Sequence, residues 1–292
     1  SARITNGPNL ETTPRMPASA TSTRPGTLED MAFFSGAALS HLHGVLGQPG
    51  VPQALLRERL ALRAGEACVA FSGRTERAGD LRDTVHLLRP GDLPGPAGDI
   101  YLSWRRASQG PISIKTIHRA LPEVAPPQIA GWLTPDRGCP VVRAAAVLEA
   151  VLTDAPRGEV PALILADAVL AKALGWDHLM PLLGVGLNRT DLRKRGDDLR
   201  RACHRALISA AVDSVQIAGD LTRRTARLKI VAPKLRAKGA GAAVEIFLTC
   251  DAVAAAQLPL PDRAARRLCD RLVDLGAVRE LTGRNTFRLY GV

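Results

Sequence analysis

Asp83, His86 and Arg89 are the residues whose types and spacing come nearest to chemistry. Asp83 and His86 stand i, i+3 on an expected helix over 80–88, just before the Gly/Pro loop Arg89–Gly98. A carboxylate that orients an imidazole beside a loop is one way to build a general base. No nucleophile, second carboxylate or metal set accompanies them. The expected role is therefore a helix-end network that pins the loop, with Arg82 and Asp92 as further members. The loop glycines follow a helix rather than a strand and match no phosphate-loop or dinucleotide fingerprint. His41 and His43 are two apart on an expected helix, point to different faces, and make a poor metal pair. The five cysteines, Cys68, Cys139, Cys203, Cys250 and Cys269, are isolated, with no C-x-x-C or zinc spacing. Buried free thiols in a reducing cytoplasm are expected of them. No catalytic residue, cofactor or metal is expected, and an enzyme at the Asp83/His86/Arg89 corner stands only as an alternative.

Charge carries more information. The chain has a net charge of +11, and its basic side is overwhelmingly arginine. Residues 1–188 hold 18 basic and 17 acidic side chains, whereas residues 189–292 hold 21 and 11. One-sided charge of this kind points to a nucleic-acid or anionic-surface partner. No apolar run approaches membrane-spanning length without Arg, Asp or Gly interrupting it.

The arginines cluster on the last thirty residues. Pro261-Asp262 offers an N-cap, and Ala265, Leu268, Leu272 and Leu275 then recur at helical spacing up to Gly276. After Gly276 the period changes to alternation over 278–281 and 286–290, with Gly283-Arg284-Asn285 between as a hairpin turn. A helix followed at once by a hairpin is the second half of a winged helix-turn-helix. Helices near 242–249 and 251–257 would complete it. Arg263, Arg266, Arg267 and Arg271 lie along the expected recognition helix, and Arg279, Arg284 and Arg288 on the hairpin. The bland alternative is a solvated face, with Asp270 pairing Arg266 and Asp274 pairing Arg271.

The run Arg267–Arg284, R-L-C-D-R-L-V-D-L-G-A-V-R-E-L-T-G-R, resembles the C-terminal winged helices attached to Fic-type proteins and related bacterial regulators. Ala232–Glu245 and Arg89–Gly98 resemble an uncharacterised, often plasmid-borne bacterial family, a domain of unknown function. That resemblance implies a helical architecture with a C-terminal winged helix and brings no activity with it. The Fic pattern of a His followed by a Gly-Asn-Gly-Arg phosphate loop is absent from the chain.

The rest of the chain must position this unit. Residues 1–27 are rich in Ser, Thr, Pro and Asn, lack the apolar core of a signal peptide, and read as a disordered arm. Residues 28–232 read as an all-α domain, with helices over 28–46, 52–71, 80–88, around Trp104, and over 141–152, 160–174 and 178–187. Residues 108–140 are dense in Pro and hold only short helices. A long helix over 197–231 is apolar nearly all round at Leu207, Ile208, Ala211, Val212 and Val215, which marks it as the most buried element. Trp104, Trp132 and Trp176 are expected as core anchors.

The fold class expected is mainly α, with a winged helix-turn-helix over 233–292. The function expected is a cytoplasmic DNA-binding regulator, of transcription or of plasmid maintenance, with a homodimer forming through the helical body. Arg263, Arg266 and Arg267 would face the groove, with Arg271 a further DNA-binding residue on the same helix, Arg284 and Arg288 on the wing, and Lys234, Arg236 and Lys238 on the backbone. A protein-interaction adaptor without DNA binding is the competing expectation.

Overall fold

The structure, a computed structural model, describes residues 26–134, 138–235, 239–284 and 286–292. The arm expected over 1–27 falls almost wholly outside these, as do Arg236, Lys238 and Asn285. The fold is mainly helical. In chain order the first helices are α1 (Leu28–Leu46), α2 (Gln53–Phe71), α3 (Ala78–His86), α4 (Gly95–Gln109), α5 (Ile114–Ala120) and α6 (Pro126–Leu133). They are followed by α7 (Pro140–Asp154), α8 (Glu159–Ala173), the single turn α9 (Leu183–Gly186) and the long α10 (Gly196–Val231). The chain closes with α11 (Ala240–Thr249), β1 (Val253–Ala254), α12 (Asp262–Asp274), β2 (Arg279–Glu280) and β3 (Leu289–Gly291). None of the described helices is long and apolar enough to cross a membrane.

The chain gathers into two compact units. One holds Arg57–Val212 with 26–39, the other Ser40–Leu56 with Asp213–Val292, so α1, α2 and α10 each contribute to both. The start of α1 shows how local chemistry fixes a boundary. Thr27 Oγ1 accepts from the Asp30 N–H at 3.1 Å, and Asp30 Oδ2 accepts from the Thr27 N–H at 3.0 Å, a reciprocal cap.

In the first unit α8 is the centre. Its ten residues Ala162–Ala171 are all buried, because α4, α6, α7 and α9 pack around it. A helix apolar all round has no solvent face to offer. The expectation assigned this place to α10, and the structure corrects it. Leu207 and Ile208 are fully buried, but Ser209 is exposed and Val212 and Val215 are only half-buried. α10 therefore carries an ordinary amphipathic stripe. The helix expected over 178–187 shrinks to the four residues of α9, since Pro181 interrupts the run. Trp104 is a core anchor, its indole N–H donating to Cys68 Sγ at 3.3 Å, whereas Trp132 and Trp176 are half-buried. A Cβ on Gly184 would lie 2.3 Å from Trp104 Cη2, so no larger residue fits there.

In the second unit α12 sits beside a three-stranded antiparallel sheet ordered β1-β3-β2. Val253 faces Tyr290 across β1–β3, and Glu280 faces Tyr290 across β2–β3. The helix expected over 251–257 is instead β1 followed by one turn of 3-10 helix, Ala255–Gln257. The helix α12 ends at Gly276, φ 61°, whose N–H donates to Val273 O while the Ala277 N–H donates to Leu272 O. That is a Schellman end, and it requires the left-handed residue that glycine supplies. Arg227 of α10 takes the neighbouring carbonyl, its Nε and Nη2 donating to Leu275 O at 3.2 and 2.9 Å.

These burials separate two substitutions on one helix. Leu207→Asp is expected to abolish soluble, folded protein, since an unpaired buried carboxylate costs several kcal/mol, on the order of the whole stability margin. Val215→Asp, half-exposed, is expected to stay folded with a loss of about 1–2 kcal/mol in urea denaturation. Equal behaviour of the two would show that α10 is buried uniformly after all.

Candidate nucleic-acid interface

The helix α12 divides its residues by angle. Ala265, Leu268, Cys269 and Leu272 are buried, and burial pushes the Cys269 thiol up to about 12. Opposite them, Arg263 and Arg267 are exposed, with Arg271 on one flank. None of the three makes an ion pair with an acidic side chain among the described residues. Asp262, Arg266 and Asp270, at i, i+4 and i+8, form the other flank. Arg266 is tied to Asp262 at 3.0 Å rather than to Asp270, as the bland alternative had it. Asp262 is also the first helical residue and not the N-cap, a place taken by Pro261. Its carboxylate still suits the positive end of the helix dipole.

That flank faces the segment joining β2 and β3 across a cleft of about 500 Å³. The 3-10 residues Ala255 and Ala256 line one side, with Thr286, Phe287, Arg288 and Tyr290 on the other. The strands are shorter than the alternation implied, so the loop that joins them is longer than a tight turn. Glu280 organises it. Its carboxylate accepts from Thr282 Oγ1 and from the Arg284 N–H, each at 3.3 Å, and lies 3.7 Å from Arg288 Nε. Arg288 Nε also donates to Arg284 O at 3.0 Å, and its Nη1 lies 4.0 Å from Asp270. Burial raises the Tyr290 phenol above its ordinary value, an effect the Arg288 guanidinium opposes. Arg288 is therefore engaged with its own loop. Arg284 stands exposed at the loop tip beside Gly283, and Lys234 is exposed at the end of α10. Arg279 is exposed on β2. Arg236 and Lys238 lie outside the described residues.

At the corner of Asp83, His86 and Arg89 the hydrogen bonds run through the backbone and Asp92. The Arg89 N–H donates to Asp92 Oδ2 at 2.8 Å and the Leu87 N–H to Asp83 O at 2.9 Å. The loop is shorter than expected, because α4 already begins at Gly95. His41 is half-buried and His43 exposed. Cys68, Cys203 and Cys269 are buried free thiols, whereas Cys139 is exposed and Cys250 half-buried.

Sequence reasoning passed over Asp167, the most constrained ionisable group among the described residues. It is fully buried on α8, and its Oδ1 accepts from the Leu182 and Leu183 N–H groups at 3.3 and 2.8 Å. Its Oδ2 accepts from the Gly184 N–H at 3.0 Å. Burial pushes its carboxyl up to about 7, against the pull of the three N–H groups. The available signal was a lone acid inside the apolar run Ala162–Ala171.

Comparison with curated proteins finds no match. A family model described as "Protein of unknown function (DUF1403)" matches residues 6–292. The chain, with its helical body and its small C-terminal sheet, belongs to that family.

Proposed function

We propose that the C-terminal segment is a winged helix-turn-helix that binds duplex DNA, and that the protein is a regulator of transcription or of plasmid maintenance. The observation that carries the proposal is the outer face of α12. Arg263, Arg267 and Arg271 lie exposed there, with no acidic side chain paired to them among the described residues. The chain order supports it. α11, β1, a 3-10 turn, α12 and the β2–β3 hairpin follow the helix, strand, helix, helix, wing order of that fold, and β1 closes the sheet beside β3. In such proteins the helix in α12's position enters the major groove, and the wing meets phosphate or the minor groove. The loop that joins β2 and β3 occupies the wing's place. A 3-10 turn stands for the usual middle helix, which shortens the approach to α12.

The test is a fluorescence-anisotropy titration of the full chain against a labelled duplex of about 30 base pairs at several salt concentrations. Contacts by Arg263, Arg267, Arg271, Arg284 and Lys234 would give a slope of log K on log salt of about −4 to −5, near −0.9 for each phosphate neutralised. A flat titration at about 50 mM salt with every duplex tried would instead favour the adaptor role.

A further inference from the structure

We infer that Phe287 is a wedge that the segment 286–288 presents to the minor groove, where its ring enters between base pairs and bends the duplex. This rests on the DNA-binding proposal above. Three observations carry it. Phe287 is 71% exposed in a chain with only 5 phenylalanines, one of which, Phe247, is fully buried, so a scarce large apolar side chain faces solvent. Its φ is 55°, and it is the single non-glycine residue with positive φ among the described residues. A bulky side chain held in the left-handed region is a genuine outlier, of a kind that clusters at functional sites.

The third observation is charge. Residues 281–292 contain Arg284 and Arg288 and no acid, so the ring stands on a basic stretch that anionic DNA would attract, at the rim of the cleft that Asp262, Arg266 and Asp270 also line. Arg288 is held by Glu280 and by the Arg284 carbonyl, which stiffens the loop behind the ring. An exposed aromatic ring on a basic stretch suits minor-groove proteins, which insert apolar side chains between base steps and offset the unstacking with the contacts a bend brings. Flexible steps such as TA and CA would accept the ring best.

The strain supplies a test that separates contact from structure. Phe287→Gly removes the ring and relieves the left-handed residue at once. With the full chain, its melting temperature is expected to equal or exceed that of the wild type while DNA affinity falls about tenfold. Phe287→Leu keeps an apolar wedge and is expected to stay within about threefold of the wild type. The second readout is end-to-end energy transfer in a duplex of about 30 base pairs with a central TA step. Binding of wild type and of Phe287→Leu should raise it, and binding of Phe287→Gly should not. Wild-type affinity and wild-type bending by Phe287→Gly would overturn the wedge and leave DNA binding standing. Failure of the wild type to bind any duplex at low salt would overturn DNA binding, and the wedge with it.

Discussion

Asp167→Ala is expected to cost about 4 kcal/mol of unfolding free energy, enough to leave little folded protein at 37 °C. The carboxylate is the acceptor for the N–H groups of Leu182, Leu183 and Gly184, which open α9 and have no helical partner of their own. The Leu182 N–H also donates to Met180 O at 2.8 Å, so alanine orphans the Leu183 and Gly184 donors in a fully buried site, and each orphan costs roughly 1–3 kcal/mol. Gly184 has little room to shift, because even an added Cβ would lie 2.3 Å from Trp104 Cη2. Asp167→Asn is expected to cost less, about 1–3 kcal/mol. Its Oδ1 serves Leu182 and Leu183, but its amide meets the Gly184 N–H donor to donor. Urea denaturation measures both, and an alanine variant within about 1 kcal/mol of the wild type would show that the site is not dry.

The same group sets a pH dependence whose sign follows from its burial. The folded carboxyl lies at about 7, above the unfolded value near 3.8. The folded state therefore holds the proton more tightly. The stability linked to it is fully present below the unfolded value and is lost as pH rises through about 7. Because asparagine does not titrate, the gap between wild type and Asp167→Asn should narrow from pH 4 to pH 7 and stay constant above. A gap that widened over that window would mean the three N–H groups outweigh burial.

What the amino-acid order made legible, and what it hid, divides by the reach of the interaction. The helix α1 was expected over 28–46 and spans those residues, because Thr27 and Asp30 cap it locally and Gly47 follows its end. The Schellman end at Gly276 was legible for the same reason. The primacy of α8 was not. Apolar residues all round a helix say that it is buried, but Leu207–Val215 and Ala162–Ala171 look alike until packing decides which one is surrounded. A strand of two residues has no period to detect, so β1 looked like part of the helix expected over 251–257. Gly184 and Gly186 fell inside the helix expected over 178–187, yet they are close-approach positions, against Trp104 and the Ala206 carbonyl. Within the candidate interface, the arginines were visible as a cluster. Their division was not, since Arg266 turns to Asp262 and Arg288 to Glu280 through contacts that no spacing rule orders.

That division predicts the largest effect on DNA binding. Arg263, Arg267 and Arg271 replaced together by Ala should lower affinity about hundredfold or more near 100 mM salt and flatten the salt slope by about 3. The melting temperature should hardly move, because all three side chains are exposed and none is ion-paired among the described residues. Arg266→Ala should do far less, within about threefold, since its guanidinium is already committed to Asp262 on the flank that faces the cleft. Among the single variants, Arg267→Ala is the one expected to relax base preference at a position, for about 1–3 kcal/mol. Arg284→Ala and Lys234→Ala should weaken all sequences alike and each remove about one unit of slope. A larger loss for Arg266→Ala than for Arg267→Ala would mean that the Asp262 pair opens on DNA and that the cleft flank reads the groove. Unchanged affinity in the triple variant would move α12 off the DNA altogether, leaving its arginines as a solvated face on a unit that binds protein.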